Sequence, residues 1–221
     1  MIKTVRPLLM MTALALAVGS PCLLLGQGTV PIEAVCAASQ DLTAYSATIQ
    51  MAQHQDGNDS EIEFAFDFVP PDRMRIVYMA PATVVGQTMI LNADRFYTHI
   101  PALSRNVWQD VGEGGGNQGE EMGFLYDFVT QSAAEALDQS VVEVGEAHEH
   151  YAVEGTDETI EVNVLTLSID DEQQVVWLNV LDAVPVAIWI YSGDDLVLEL
   201  RVLDYEINGT FEEEWFDIPE Q

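Results

Sequence analysis

Residues 61–69 read EIEFAFDFV, and the alternation in that run decides the fold. Ile62, Phe64, Phe66 and Phe68 fall on one face of an extended chain, with Glu61, Glu63 and Asp67 on the other. A strand repeats every two residues, so this segment has a dry face and a wet face. Pro70-Pro71-Asp72 ends it, because proline donates no ladder hydrogen bond and restricts the residue before it. RMRIVYMA (73–80) resumes with Met74, Ile76 and Tyr78 in phase, followed by QTMILNA (87–93) and DRFYTHIP (94–101). Four successive segments thus offer one apolar surface rich in Phe, Tyr and Met. It is either an ordinary core or the lining of a place for something greasy.

Upstream, residues 42–53 alternate Tyr45, Ala47, Ile49 and Met51 against Ser46, Thr48 and Gln50, and the turn Asp56-Gly57-Asn58-Asp59 joins this strand to the next as a hairpin. Pro31 to Gln40 reads as a short helix with proline in its first turn. Downstream, Asn106 to Val111 is a short strand carrying Trp108. GEGGGNQGEE (112–121) is a flexible surface loop; it lacks the lysine and hydroxyl residue of a phosphate cradle. Met122 to Gln139 is the one long helix, with Leu125, Phe128, Val129, Ser132, Ala133, Ala136 and Leu137 along one side. The remainder is β: 141–153, 160–169, 174–181, 185–192, 196–207 and 215–218, with turn residues every eight to twelve positions. No parallel βαβ unit and no linker is visible. The expected class is α+β: a single curved antiparallel sheet forming an unclosed β-barrel, with helices lidding its concave face.

The 221 residues suffice for one domain with its own core. Residues 1–28 stand apart from it. Lys3 and Arg6 precede an apolar run, 7–26, in the charge-then-hydrophobe order of a secretory signal, with Gly26-Gln27-Gly28 as a small-x-small cleavage site. An uncleaved anchor is the competing reading, since roughly 20 apolar residues span a bilayer. Acylation at Cys22 suits the preceding Pro21 poorly. Domain 29–221 then holds a single cysteine, Cys36, and no internal disulfide. An exported protein of the periplasm or cell envelope follows.

The net charge is −30 over the whole chain, from 7 basic and 37 acidic residues. Removing Lys3 and Arg6 leaves five arginines against those 37 acids, or −32, and no lysine. Nucleic acid is excluded as a partner, because no basic surface exists to release counterions. Anionic lipid headgroups are disfavoured for the same reason. A lysine-free acidic surface suits high salt, where screening removes self-repulsion.

Signals for catalysis are poor. Paired acids arise by chance among so many carboxylates, and neither a G-x-S-x-G elbow nor an H-E-x-x-H helix occurs. His148-Glu149-His150 puts two imidazoles on one side of a strand, without a third ligand nearby, and reads as polar edge residues. Asn208-Gly209-Thr210 is a glycosylation triplet of a kind common by chance. The chain is expected to be no enzyme and to need neither cofactor nor metal.

The order of segments from Tyr45 to Pro101 resembles the outer-membrane lipoprotein carrier (LolA-like) family. AYSATIQM is followed by the aromatic strand, proline turn and arginine-bearing strand FDFVPPDRMRI, then ILNADRFYTHIP. The C-terminal part is also similar, through VNVLTLSI, VVWLNVLDAVPVAIWIY and a closing Asn208, Phe216 and Pro219. The resemblance implies an unclosed barrel whose cavity receives acyl chains of a lipoprotein or lipid. Its implied lining is Tyr45, Ile49, Met51, Phe64, Phe66, Phe68, Met74, Ile76, Tyr78, Met89, Leu91, Phe96 and Trp108, with Phe128 from the long helix. The carriers place an arginine before the turn proline as a lid latch; here Val69 stands there, and Arg73 or Arg75 is the substitute, though Arg75 is out of phase with the lining. The resemblance further implies a monomer, an inner-membrane protein as a second partner, and, in regulators of the same fold, a sensing role instead of transport.

Overall fold

The structure, a computed structural model, describes residues 41–55, 58–70, 72–93, 95–110, 141–144, 148–152, 159–169, 172–182 and 184–220. Twelve strands make one sheet: β1 (Tyr45–Gln55), β2 (Asn58–Val69), β3 (Arg73–Ala80), β4 (Thr88–Asn92), β5 (Arg95–Ile100), β6 (Arg105–Asp110), β7 (Val141–Val144), β8 (His148–Ala152), β9 (Thr159–Ile169), β10 (Glu172–Asn179), β11 (Pro185–Ser192) and β12 (Asp195–Ile207). Their order is β6-β5-β4-β3-β2-β1-β12-β11-β10-β9-β7, with β8 also on β9. Every pairing is antiparallel. Among the described residues β6 does not pair with β7 or β8, so the sheet is unclosed.

Tight turns set the registers within each half. Asn92↔Arg95 and Ser192↔Asp195 close two-residue hairpins, the latter with Gly193 at φ 62°, which glycine adopts without steric cost. The long-range pairing of β1 with β12 joins the halves, Tyr45↔Ile207 through Gln53↔Leu198. Asn208, at φ 57°, fastens that junction: its Oδ1 accepts from the Thr43 backbone N–H at 2.7 Å and from the Thr43 hydroxyl at 3.0 Å. Asparagine tolerates this left-handed conformation better than most residues. Register shifts between Thr48 and Ile49, Glu63 and Phe64, Trp177 and Leu178, and Ile190 and Tyr191 bend the strands and increase their twist.

Two strand assignments differ from expectation. The segment 141–153 is two strands, β7 and β8, which pair with successive stretches of β9. Residues 215–218, expected as a strand, instead form the second half of a 3-10 turn, Glu213–Phe216, and the two residues after it, beyond the end of the sheet. Glu212, Glu213 and Glu214 give that stretch no alternation of its own, and its aromatic side chains dock onto the sheet rather than extend it. The expected helices at 31–40 and 122–139 lie outside the described residues, as do the leader and the glycine-rich loop. Among the described residues no helix is long and apolar enough to cross a membrane.

Candidate functional site: the two faces of the sheet

Register assigns every strand residue to one of two faces. The inner face begins on β1 with Tyr45, Ala47, Ile49 and Met51, which pair with Phe68, Phe66, Phe64 and Ile62 of β2. It continues through Met74, Ile76 and Tyr78 of β3, paired with Phe68, Phe66 and Phe64. Met89 and Leu91 of β4 and Phe96 of β5 extend it. Aromatic contacts link the rows: Tyr45–Phe66 at 6.1 Å, Phe66–Phe68 at 6.4 Å and Phe64–Tyr78 at 6.0 Å between ring centroids. The two cross-strand pairs among them, Tyr45–Phe66 and Phe64–Tyr78, stabilise a sheet face by roughly 0.2–1 kcal/mol each.

The C-terminal half supplies a further part of this face that the sequence-based lining omitted. Ile49 and Met51 pair with Val202 and Leu200 of β12, Leu200 with Ile188 of β11, and Ile188 with Val176 of β10. The alternation of residues 196–207 carried that signal, but only the β1–β12 pairing makes the two halves one surface. Its depth is uneven. Phe66, Met74, Val176 and Ile190 are buried, whereas Met51, Ile62, Phe64 and Tyr78 are half-buried toward the end carrying the β1–β2 and β11–β12 hairpins.

Phenols on this face feel their surroundings. Burial, followed by the negative charge available to Tyr205 and Asp182, pushes the Tyr45 hydroxyl well above its ordinary pKa. Tyr205, stacked on Tyr45 at 6.4 Å, is raised as well, first by burial and then by the hydrogen bond it donates to Asp182 at 2.6 Å. Tyr78, raised by burial, donates to the Met89 sulfur at 3.7 Å. All three stay neutral at ordinary pH, which suits an apolar lining.

On the β2–β6 side the outer face is covered by the C-terminal tail. Phe216 is buried against Ile90 and Tyr97, with Val69, Trp108, Phe211 and Ile218 around it. The tail is tied down by polar bonds too: the Asn92 amide donates to the Phe216 carbonyl at 3.0 Å, and the Trp108 indole N–H to the Pro219 carbonyl at 3.0 Å. Buried Asp67 accepts from the Ser46 hydroxyl at 2.6 Å and from the Trp215 indole at 2.8 Å.

Trp108, expected in the lining, therefore stands on the other side of the sheet, as do the expected latch residues Arg73 and Arg75. Trp108 pairs with Tyr97, one position out of phase with Phe96, and its ring packs on Tyr97 at 5.5 Å. Arg73 and Arg75 project away from Met74 and Ile76: Arg73 lies over the Phe216 ring at 5.7 Å, and Arg75 over Trp215 at 4.2 Å and 3.8 Å from Asp67. A cation over an aromatic face is attracted by the ring's electrons, so these arginines hold the tail. Val69, where the carriers have an arginine, packs against the same tail. Phe128 lies outside the described residues.

A sheet of this shape is found in solved structures. An uncharacterised conserved protein from Thermus thermophilus overlaps with a TM-score of 0.56 at 11% identity, over 86% of this chain and 93% of that one. MucB, in the Pseudomonas aeruginosa MucA/MucB complex, overlaps with a TM-score of 0.53 at 11% identity, over 86% of this chain and 60% of that one. The fold is that of the matched part of MucB. A LolA superfamily protein from Nitrosomonas europaea is a looser match, with a TM-score of 0.37 at 12% identity, over 97% and 99% of the two chains. No protein-family model matches this chain, and no curated protein matches it in sequence. Among the described residues no group of three or more His, Cys, Asp or Glu side chains could hold a metal ion.

Proposed function

We propose that this chain is an exported carrier that buries the acyl chains of a lipid or lipoprotein against the inner face of its sheet. The observation that supports it most is the continuity of that face, largely apolar across β1–β5 and β10–β12 and half-buried at one end on β1–β3. Acyl chains require little beyond such a surface, at about 0.8 kcal/mol per buried methylene. Methionine and aromatic side chains suit varied chains, being adaptable or large at low entropic cost. In this reading Tyr45, Ile49, Met51, Phe64, Phe66, Phe68, Met74, Ile76, Tyr78, Met89, Leu91 and Phe96 contact the ligand. The segment 122–137, including Phe128, is the lid, and residues 1–28 direct export to the periplasm or cell envelope.

Native mass spectrometry of the protein purified from its own host tests the proposal. A co-purifying acyl lipid is expected, and it should be lost in Phe64→Ser, whose half-buried position lets the fold survive. No lipid on the wild-type chain, with Phe66→Glu merely unfolding it, would reduce the inner face to plain core.

A second reading, a regulatory domain with a protein partner and no transport role, is favoured by one observation: the overlap with MucB, solved in complex with MucA. The two readings part at Phe64. Under the regulatory reading Phe64→Ser leaves partner binding intact and there is no lipid to lose.

A further inference from the structure

Gln174 is fully buried, and neither its Oε1 nor its Nε2 has a hydrogen-bond partner among the described residues. It belongs to the inner face, two residues before Val176 on β10. Pairing places it in a cross-sheet row, Gln174–Ile190–Leu198–Gln53, one step beyond the row that contains Met51. That row lies at the end where the apolar face becomes exposed on β1–β3. The ends of that row, Gln174 and Gln53, are amides and its middle, Ile190 and Leu198, is apolar, so Gln174 sets a buried amide into the apolar floor at the end where a chain entering tail-first would leave its linkage.

A buried amide left unpaired carries the full cost of its desolvation, so the site is unsatisfied until something supplies both a donor and an acceptor. A carboxamide and a secondary amide are complementary in their needs: the N–H of each takes the carbonyl of the other. The requirement is met with the side-chain amide in either orientation. An ester offers acceptors only and would leave Oε1 unpaired. An alkane offers nothing.

We propose that Gln174 reads the linkage of the bound acyl chain and that the preferred ligand carries that chain on a secondary amide. The inference rests on the carrier reading above. Its test is a displacement titration of the full chain with three probes of equal chain length: N-methylpalmitamide, methyl palmitate and hexadecane. Wild-type affinity is expected to fall in that order, about fivefold for each hydrogen bond lost. In Gln174→Leu the three affinities converge, hexadecane binding is retained, and the ligand-free variant melts higher because an orphaned polar group has gone. Gln174→Met, closer in shape, repeats the measurement should leucine disturb packing. Hexadecane binding with no preference among probes, or a preference that survives Gln174→Leu and Gln174→Met, overturns the inference and leaves the carrier reading standing. Failure of all three probes to bind removes both.

Discussion

Replacing Phe216 by alanine should be among the most damaging single changes outside the inner face. Its ring is 1% exposed and wedged between Ile90 and Tyr97, with Arg73 over it. Truncating a buried phenylalanine costs about 3–5 kcal/mol, from lost transfer free energy and from the cavity left behind. The side-chain bonds from Asn92 and Trp108 to tail carbonyls survive the change, so the segment stays near its place and the cavity is only partly refilled. Against a total stability of about 5–15 kcal/mol, the loss is a large fraction. For a domain of this size it corresponds to a melting temperature lower by roughly 6–20 °C. Urea unfolding followed by tryptophan fluorescence, in high-salt buffer, reads it as a lowered midpoint with an unchanged slope. A loss under about 1 kcal/mol, the size of an ordinary surface substitution, would mean that the tail does not cover the outer face. Acyl-probe binding should survive wherever Phe216→Ala remains folded, since the tail and the inner face lie on opposite sides of the sheet.

Asp67→Asn weakens the acceptor for both Ser46 and Trp215 and should cost about 1–3 kcal/mol in the same urea assay; an unmoved midpoint contradicts the network. Burial raises Tyr45 and Tyr205 above the ordinary value of 10.0, so the unfolded chain releases their protons first. Stability should therefore be level below that pH and fall as pH rises beyond it, less steeply in Tyr45→Phe; midpoints measured across this range decide it. A net charge of −30 with few cations makes self-repulsion a standing cost, so the melting temperature should climb with added salt and level off as the Debye length shrinks to a few ångströms. A melting temperature indifferent to salt would rule this out.

Strand existence and phase were legible because alternation is a local property. Residues 61–69 announce their dry face, and the turns at Asn92–Arg95 and Ser192–Asp195 announce the hairpins that fix register. Trp108 shows where that reading stops. Its strand is short, and residues 101–104 precede it as a 3-10 turn and a left-handed Ser104, so the phase inherited from Phe96 is not carried across by counting. Arg73 and Arg75 alternate correctly with Met74 and Ile76. What local pattern could not supply was their partner, because Trp215 and Phe216 lie about 140 residues away along the chain.

By itself the sequence determined an acidic chain and an antiparallel sheet with a greasy face. Period-two patterning and turn chemistry act over a few residues, and both survive in any context. Only the tertiary structure decided that β1 pairs with β12, which extends the apolar surface by joining Met51 to Leu200 and Ile188. It also decided that the tail packs on the outer face of β2–β6 through Phe216, and that Gln174 on the inner face has no hydrogen-bond partner among the described residues. These are long-range contacts, selected by how much apolar area the whole chain can remove from water at once.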